Sequence, residues 1–314
     1  IDNAGNFSGN ADGQECVIDI DGDPATDDLV TTAMSGTVGG IEQCALHAVI
    51  NALPPDSVKI GIMVYNDSGV FDFSRNECVR YDTSRPGGCL IYPLTLMSAA
   101  NKTTLLTWIR NWRTSGNNPY RVDGSNKATG GVMQEAWAYY KGRTGVSGRP
   151  YGTIQPPTAC NNYVVFVGNS YGNNGSPGDQ TGDSGPKDAL EGTSSTSGKR
   201  AFPAATAAQT ALITRTIRTS CPGSPFDLGT NINNHENRGR YADEWARYMF
   251  DQDITTYSIG VLGPGCQSEY EAVLTSMAGV GGGRYFPTRN FDELVAAFQA
   301  AFSEMLAVNS VFAS

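Results

Sequence analysis

Tyr163–Ser170 reads YVVFVGNS and Thr255–Gly263 reads TTYSIGVLG. Both have the character of a buried strand, and both give way to small or polar turn residues. A third stretch, Ile1–Asp12 (IDNAGNFSGNAD), begins with an acid at what reads as a strand end and continues as a turn-rich run. Turns of this kind, at the C-terminal edge of a parallel sheet, are where open α/β folds put their ligand or metal. The three loops are therefore expected side by side along one edge.

Outward from these strands the pattern alternates. Gly39–Leu53 has apolar residues at 41, 45, 46, 49, 50 and 53, a helical spacing that Pro54-Pro55 stops. Val58–Tyr65 (VKIGIMVY) reads as a buried strand and Leu90–Leu94 (LIYPL) as its hairpin partner. Helices are expected at Asn101–Arg113, Val132–Tyr140, Ala204–Thr219, Tyr241–Phe250, 269–278 and 290–307, with short strands at 255–261 and 284–287. The glycine run near 280 (GVGGGR) reads as a tight helix-to-strand turn. The expected fold class is α/β, a mostly parallel central sheet flanked by helices. One domain over 1–314 is expected, with insertions at about 9–38, 66–90 and 169–240. Asp2 reads as the end of a strand whose earlier residues precede Ile1.

The chain carries a net charge of −9, and no Lys/Arg run offsets it, which excludes a nucleic-acid binder. Only 17% of residues are charged, while Gly, Asn, Ser and Thr abound. That balance fits an exported protein with long polar loops. No apolar run reaches transmembrane length.

The seven cysteines form no CxxC pair, and His47 and His235 are the only imidazoles, so a zinc site is not expected. Scattered cysteines in such a chain point to disulfides and an oxidising compartment, with buried free thiols as the alternative. Topology suggests Cys16–Cys44 around the first helix region and Cys78–Cys89 across one polar loop. Cys160 and Cys221 fall at the same end of the sheet and pair. Cys266, at the far end, is left free or intermolecular.

The order of elements resembles a von Willebrand factor A domain. VKIGIMVY is similar to its second strand, TTYSIGVLG to its fifth, and Tyr270–Met305 (YEAVLTSMAGVGGGRYFPTRNFDELVAAFQAAFSEM) to its closing segment. More narrowly, DNAGNFS (Asp2–Ser8), MQEAWAYYKG (Met133–Gly142), DEWARYMFDQDI (Asp243–Ile254) and NSVFAS (Asn309–Ser314) resemble the von Willebrand-type domain of type IV pilus tip adhesins, the PilY family. In that family a β-propeller usually follows the domain. The resemblance implies a Rossmann-like fold and a pilus-tip adhesin and assembly factor, exported through the periplasm to the bacterial cell surface. Its partners would be minor pilins and a surface or host ligand. The alternative is a secreted metal-dependent receptor or enzyme that shares only the fold.

Domains of this type often hold Mg²⁺ through D-x-S-x-S, a Thr on a second loop and an Asp on a third. A hard cation wants those oxygens. Here the positions are Asp2, Ala4 and Asn6, with Ser8 beyond. Thr129, in SNKATGG, is out of place, and Asn169 stands where the third-loop acid would be. Two hydroxyl oxygens and one carboxylate are gone, so magnesium is not expected. On the bland reading, Asp2 and Asn169 hydrogen-bond the loops together.

A second acidic pattern is sharper: Asp19, Asp21, Asp23, Asp27 and Asp28 around Gly22. Alternating acids about a glycine turn can converge on one calcium ion. Pro24 at the glycine position of an EF-hand, and no Glu at the twelfth, exclude that motif. A calcium loop and a solvated acidic turn both remain open. A competing parse makes Val17–Asp21 (VIDID) the first strand of the main sheet.

No catalytic constellation is found. His47 lies in a helical run, His235 in a polar stretch, and GxSxG, HExxH and P-loop patterns are missing. The long loop 169–200 is expected to be partner-ordered or mobile.

Overall fold

The computed structural model describes residues 38–66, 87–112, 129–145, 147–156, 161–168, 242–262 and 268–311. It adds short strands at 17–18, 28–29, 70–72 and 77–79 and helical residues 211, 215, 216 and 219. The helices are α1 (Val38–Ala52), α2 (Ala99–Arg110), α3 (Thr129–Lys141), α4 (Ala242–Phe250), α5 (Ser268–Val280) and α6 (Phe291–Val311). The longer strands are β3 (Lys59–Asn66), β6 (Gly87–Leu96), β7 (Asn162–Gly168), β8 (Ile254–Val261) and β9 (Gly282–Thr288). Two small hairpins pair β1 (Val17–Ile18) with β2 (Asp28–Leu29) and β4 (Val70–Asp72) with β5 (Glu77–Val79).

The strands β7, β8 and β9 form a parallel sheet in that spatial order. β8 is buried along almost its whole length, as a parallel strand covered on both faces must be. Its side chains alternate in size. Thr256, Ser258 and Gly260 face α5, where Ser258 Oγ donates to the Leu274 carbonyl at 2.6 Å. Tyr257, Ile259 and Val261 pack on the other face against α1 and α6. Small residues on one face let the helix approach; large ones on the other fill the core.

Helices α3, α4 and α5 cover the first face, with Trp245 and Met249 buried against Ile254. The sheet therefore sits between two helical layers, a mixed helix-and-strand arrangement compatible with an α/β fold.

β3 and β6 pair antiparallel, as expected from the sequence, with register shifts between Ile60 and Met63. Among the described residues this pair shares no hydrogen-bonded ladder with the parallel sheet. What joins the two is helical packing. α1 sends Ala45 and Val49 to the β8 core and Cys44, Ile50 and Leu53 to the core around Ile60. α3 joins Leu90 of β6 and Phe166 of β7 in one cluster.

α1 and α2 cap each other: Lys102 Nζ donates to the Asn51 and Leu53 carbonyls, and Gln43 Nε2 to those of Ile109 and Arg110. Both groups satisfy carbonyls that a helix end leaves orphaned.

Among the described residues the strands form a parallel triplet and a separate antiparallel pair, compatible with the expected α/β class. Val17–Ile18 pairs with Asp28–Leu29, and the rest of VIDID lies outside the described residues. The glycine run behaves as read. Gly281 N–H donates to the Met277 carbonyl, and Gly282 has φ +74°, where only glycine is unstrained. Among the described residues, no helix is long and apolar enough to cross a membrane.

Candidate functional site at the C-terminal edge of the parallel sheet

The polarity of the helices follows from their end contacts. At the C-terminal end of α3, Tyr140 Oη donates to the Tyr163 carbonyl at 2.8 Å and Lys141 Nζ to the Gln252 carbonyl at 3.3 Å. Both acceptors lie where β7 and β8 begin. Thr129, at the other end of the helix, is roughly 18 Å away. That matches the roughly 20 Å that a seven-residue strand spans, so Thr129 lies toward the strands' C-terminal ends.

α4 runs through the Asp251–Asp253 turn into the start of β8, and α5 ends just before Gly281, whose carbonyl accepts from Thr256 N–H. α6 begins just after β9 and runs back until Glu304 meets Arg284, at 3.1 Å. Four helix N-termini are thus directed to one edge, each the positive end of a helix dipole.

The described side chains there are polar and tightly held. Thr288 Oγ1 donates to the Gly260 carbonyl and Leu262 N–H to the Thr288 carbonyl, lacing the ends of β8 and β9. Asn290 Oδ1 accepts from Glu293 N–H and Glu293 Oε2 from Arg289 N–H, a reciprocal cap on α6. Glu271 is fully buried, with Arg289 Nη2 at 3.9 Å. The Tyr270 hydroxyl lies against Gly168, where a Cβ would collide with it. Burial, then the charge of Glu271, keep the Tyr285 phenol protonated far above its ordinary range. This edge can present hydrogen-bond donors and acceptors to a partner.

Of the residues singled out from the sequence, Thr129 is the buried first residue of α3. Asn169 directly follows Gly168 but lies outside the described residues, as do Asp2, Ala4, Asn6 and Ser8. So do Asp19, Asp21, Asp23 and Asp27; Asp28 opens β2. Among the described residues no group of three or more His, Cys, Asp or Glu could hold a metal. Cys44 and Cys89 are each in a disulfide. Cys16, Cys160, Cys221 and Cys266 lie outside the described residues, and Cys78 sits in β5. His47 is on α1, where burial and then the Arg110 charge lower its pKa to about 4, leaving the imidazole neutral at pH 7.

Sequence reasoning missed a second polar centre, at Glu135 on α3. Its Oε1 accepts from Ser147 Oγ at 2.6 Å and Tyr151 Oη at 2.5 Å, and its Oε2 from Ser147 N–H at 2.9 Å. Arg149 stacks on Tyr151 and donates to the Leu90 carbonyl. Burial raises the Glu135 pKa; the bonds from Ser147 and Tyr151 and the Arg149 charge oppose the shift without cancelling it. On α4, Asp243 accepts from Ser276 Oγ at 2.7 Å, and both side chains are buried. Neither carboxylate stands out in the sequence, because each lies in a helical segment whose acids read as solvent-facing.

No protein-family model, curated protein or solved structure matches the chain.

Proposed function

We propose that the chain is a von Willebrand factor A-type adhesion module of a type IV pilus tip protein of the PilY family. It would be exported, carried by minor pilins, and would contact surfaces or host ligands through the C-terminal edge of β7, β8 and β9. The observation that carries this reading is the convergence of four helix N-termini and three parallel strand ends on one edge. The disulfides at Cys44 and Cys89 fit an oxidising compartment.

In this reading β3–β6 is the antiparallel flank of a mostly parallel, Rossmann-like sheet. Support comes from α1 and α3, which pack on both sheets.

Partner binding at the edge would be magnesium-independent, since Ala4 and Asn169 supply no hydroxyl or carboxylate. Calcium would be held by the acids between β1 and β2. The pairing of Ile18 with Asp28 brings the two ends of that acidic segment together.

Binding of the purified chain to minor pilins tests the reading. Deleting 173–197, in the segment that follows β7 in sequence, should leave the melting curve unchanged and weaken capture of the pilins or of a surface. Full retention of capture, or no capture by the intact chain, would overturn it. Calcium should raise the melting temperature, and Asp21→Ala with Asp23→Ala should abolish the rise.

A further inference from the structure

A cavity of about 360 Å³ lies on the flank of the parallel sheet, between the outer side of β9, the C-terminal half of α5 and the helical residues Arg215, Thr216 and Thr219. Its volume falls within the range of small-ligand sites. Gly283 near the start of β9 and Pro287 near its end both line it, so it runs along the outer flank of that strand.

Its chemistry runs against that of the chain. In a protein of net charge −9, two arginines, Arg215 and Arg284, line one cavity. Arg284 is stacked on the Phe286 ring at 4.8 Å, and its Nη1 lies 3.1 Å from Glu304. That pair is exposed and uses one of five N–H donors, so the guanidinium is oriented but not exhausted. Arg215 is exposed and makes no ion pair among the described residues.

The threonines offer the complementary function. Thr275 Oγ1 donates to the Glu271 carbonyl and Thr219 Oγ1 to the Arg215 carbonyl. Each hydroxyl proton is thereby spent, and each oxygen remains as an acceptor. The aromatic ring of Tyr285 and the ring of Pro287 supply apolar wall.

We propose that this cavity binds an acidic sugar residue, its carboxylate on Arg215 and Arg284, its hydroxyls on Thr219 and Thr275, and its C–H face on Tyr285. Guanidinium forks match carboxylates in shape as well as charge, a hydroxylated ligand supplies the donors the threonines lack, and a sugar's apolar face suits an aromatic wall.

The test is calorimetric titration of the 314-residue chain with D-galacturonate and N-acetylneuraminate, with D-galactose and inorganic phosphate as comparison probes. Saturable binding of an acidic sugar, with galactose at least about tenfold weaker, is expected. Arg215→Gln should weaken that binding about tenfold, as loss of one charge-assisted hydrogen bond does. It should leave the melting temperature unchanged, because Arg215 is exposed. Thr275→Val should weaken the sugars but not phosphate. Equal affinity for galacturonate and galactose overturns the proposal. So does binding of phosphate without either acidic sugar, or an Arg215→Gln variant that binds as the parent does.

Discussion

The parallel triplet and the antiparallel pair solve the burial problem differently. β8 is closed on both faces, small side chains against α5 and large ones against α1 and α6, so hardly any position along it meets solvent. β3 carries half-buried Ile62, Met63 and Val64 and an irregular register against β6. A strand closed on both faces has no way to relax when a side chain is removed; a half-open one does. The parallel half should therefore behave as the rigid body of the molecule and the antiparallel half as its adaptable flank.

Truncation tests this most directly. Ile259→Ala, at a fully buried position, should cost about 4 kcal/mol, in the upper part of the range for such substitutions. Ile62→Ala, half-buried, should cost about half as much. Urea denaturation of both variants reads the difference, and equal losses would remove the distinction between the halves.

Covalent cross-linking gives the next largest effect. Cys44 and Cys89, both in disulfides, belong to the antiparallel side. The parallel side should have its own bridge. Cys160 precedes β7 by two residues, and Cys221 is two residues beyond Thr219. In the expected topology, with the helix at 204–219 carrying the chain back across the sheet, both fall at the end where the parallel strands begin. Cys266 follows β8, at the opposite end. A strand of this length spans roughly 20 Å, well beyond the roughly 4.4–6.8 Å between bridged Cα atoms. Peptide mapping without reduction should yield Cys160–Cys221, and Cys221→Ser should cost about 3 kcal/mol. A Cys221–Cys266 peptide would show the helix expected at 204–219 to run the other way.

The glycines sharpen the comparison further. A Cβ on Gly283 would lie 2.3 Å from the Thr256 carbonyl oxygen, backbone against backbone between β8 and β9. On Gly61, in β3, it would stand 3.0 Å from Leu94 N. Gly283→Ala should cost about 2 kcal/mol by overpacking, and Gly61→Ala less, since a shift of tenths of an ångström relieves it. Thermal melts of the two variants should rank them in that order.

The parallel half was also the more legible in sequence. β7 and β8 declare themselves as apolar runs, the glycine turn announces β9, and the α1 stripe is readable from its spacing. Burial along those stretches is local information. What could not be read was anything that depends on two distant segments meeting. Glu135 looks like one acid on an amphipathic helix until Ser147 and Tyr151 are brought back to it. The polar edge has the same character: Glu271 and Arg289 meet only because α5 and the β9–α6 turn converge.

Glu135 gives the smallest and most specific prediction. Glu135→Gln keeps the shape but turns a donor toward Ser147 N–H or Tyr151 Oη, each now facing a carboxylate oxygen. One mismatched buried hydrogen bond should cost about 1 kcal/mol. The pH dependence distinguishes this from simple loss of packing. Burial raises the folded-state pKa of Glu135 above its unfolded value. The contribution of the group is therefore greatest below the ordinary glutamate range, where both states are protonated, and declines as pH rises through the folded-state pKa. The variant cannot titrate at this position. The stability gap between parent and variant should thus narrow as pH is raised from about 4, since other titrations cancel in the difference. Chemical denaturation of both proteins across that range measures it. A gap that widens with pH would mean that the bonds from Ser147 and Tyr151 and the Arg149 charge outweigh burial, and that Glu135 is held as a carboxylate.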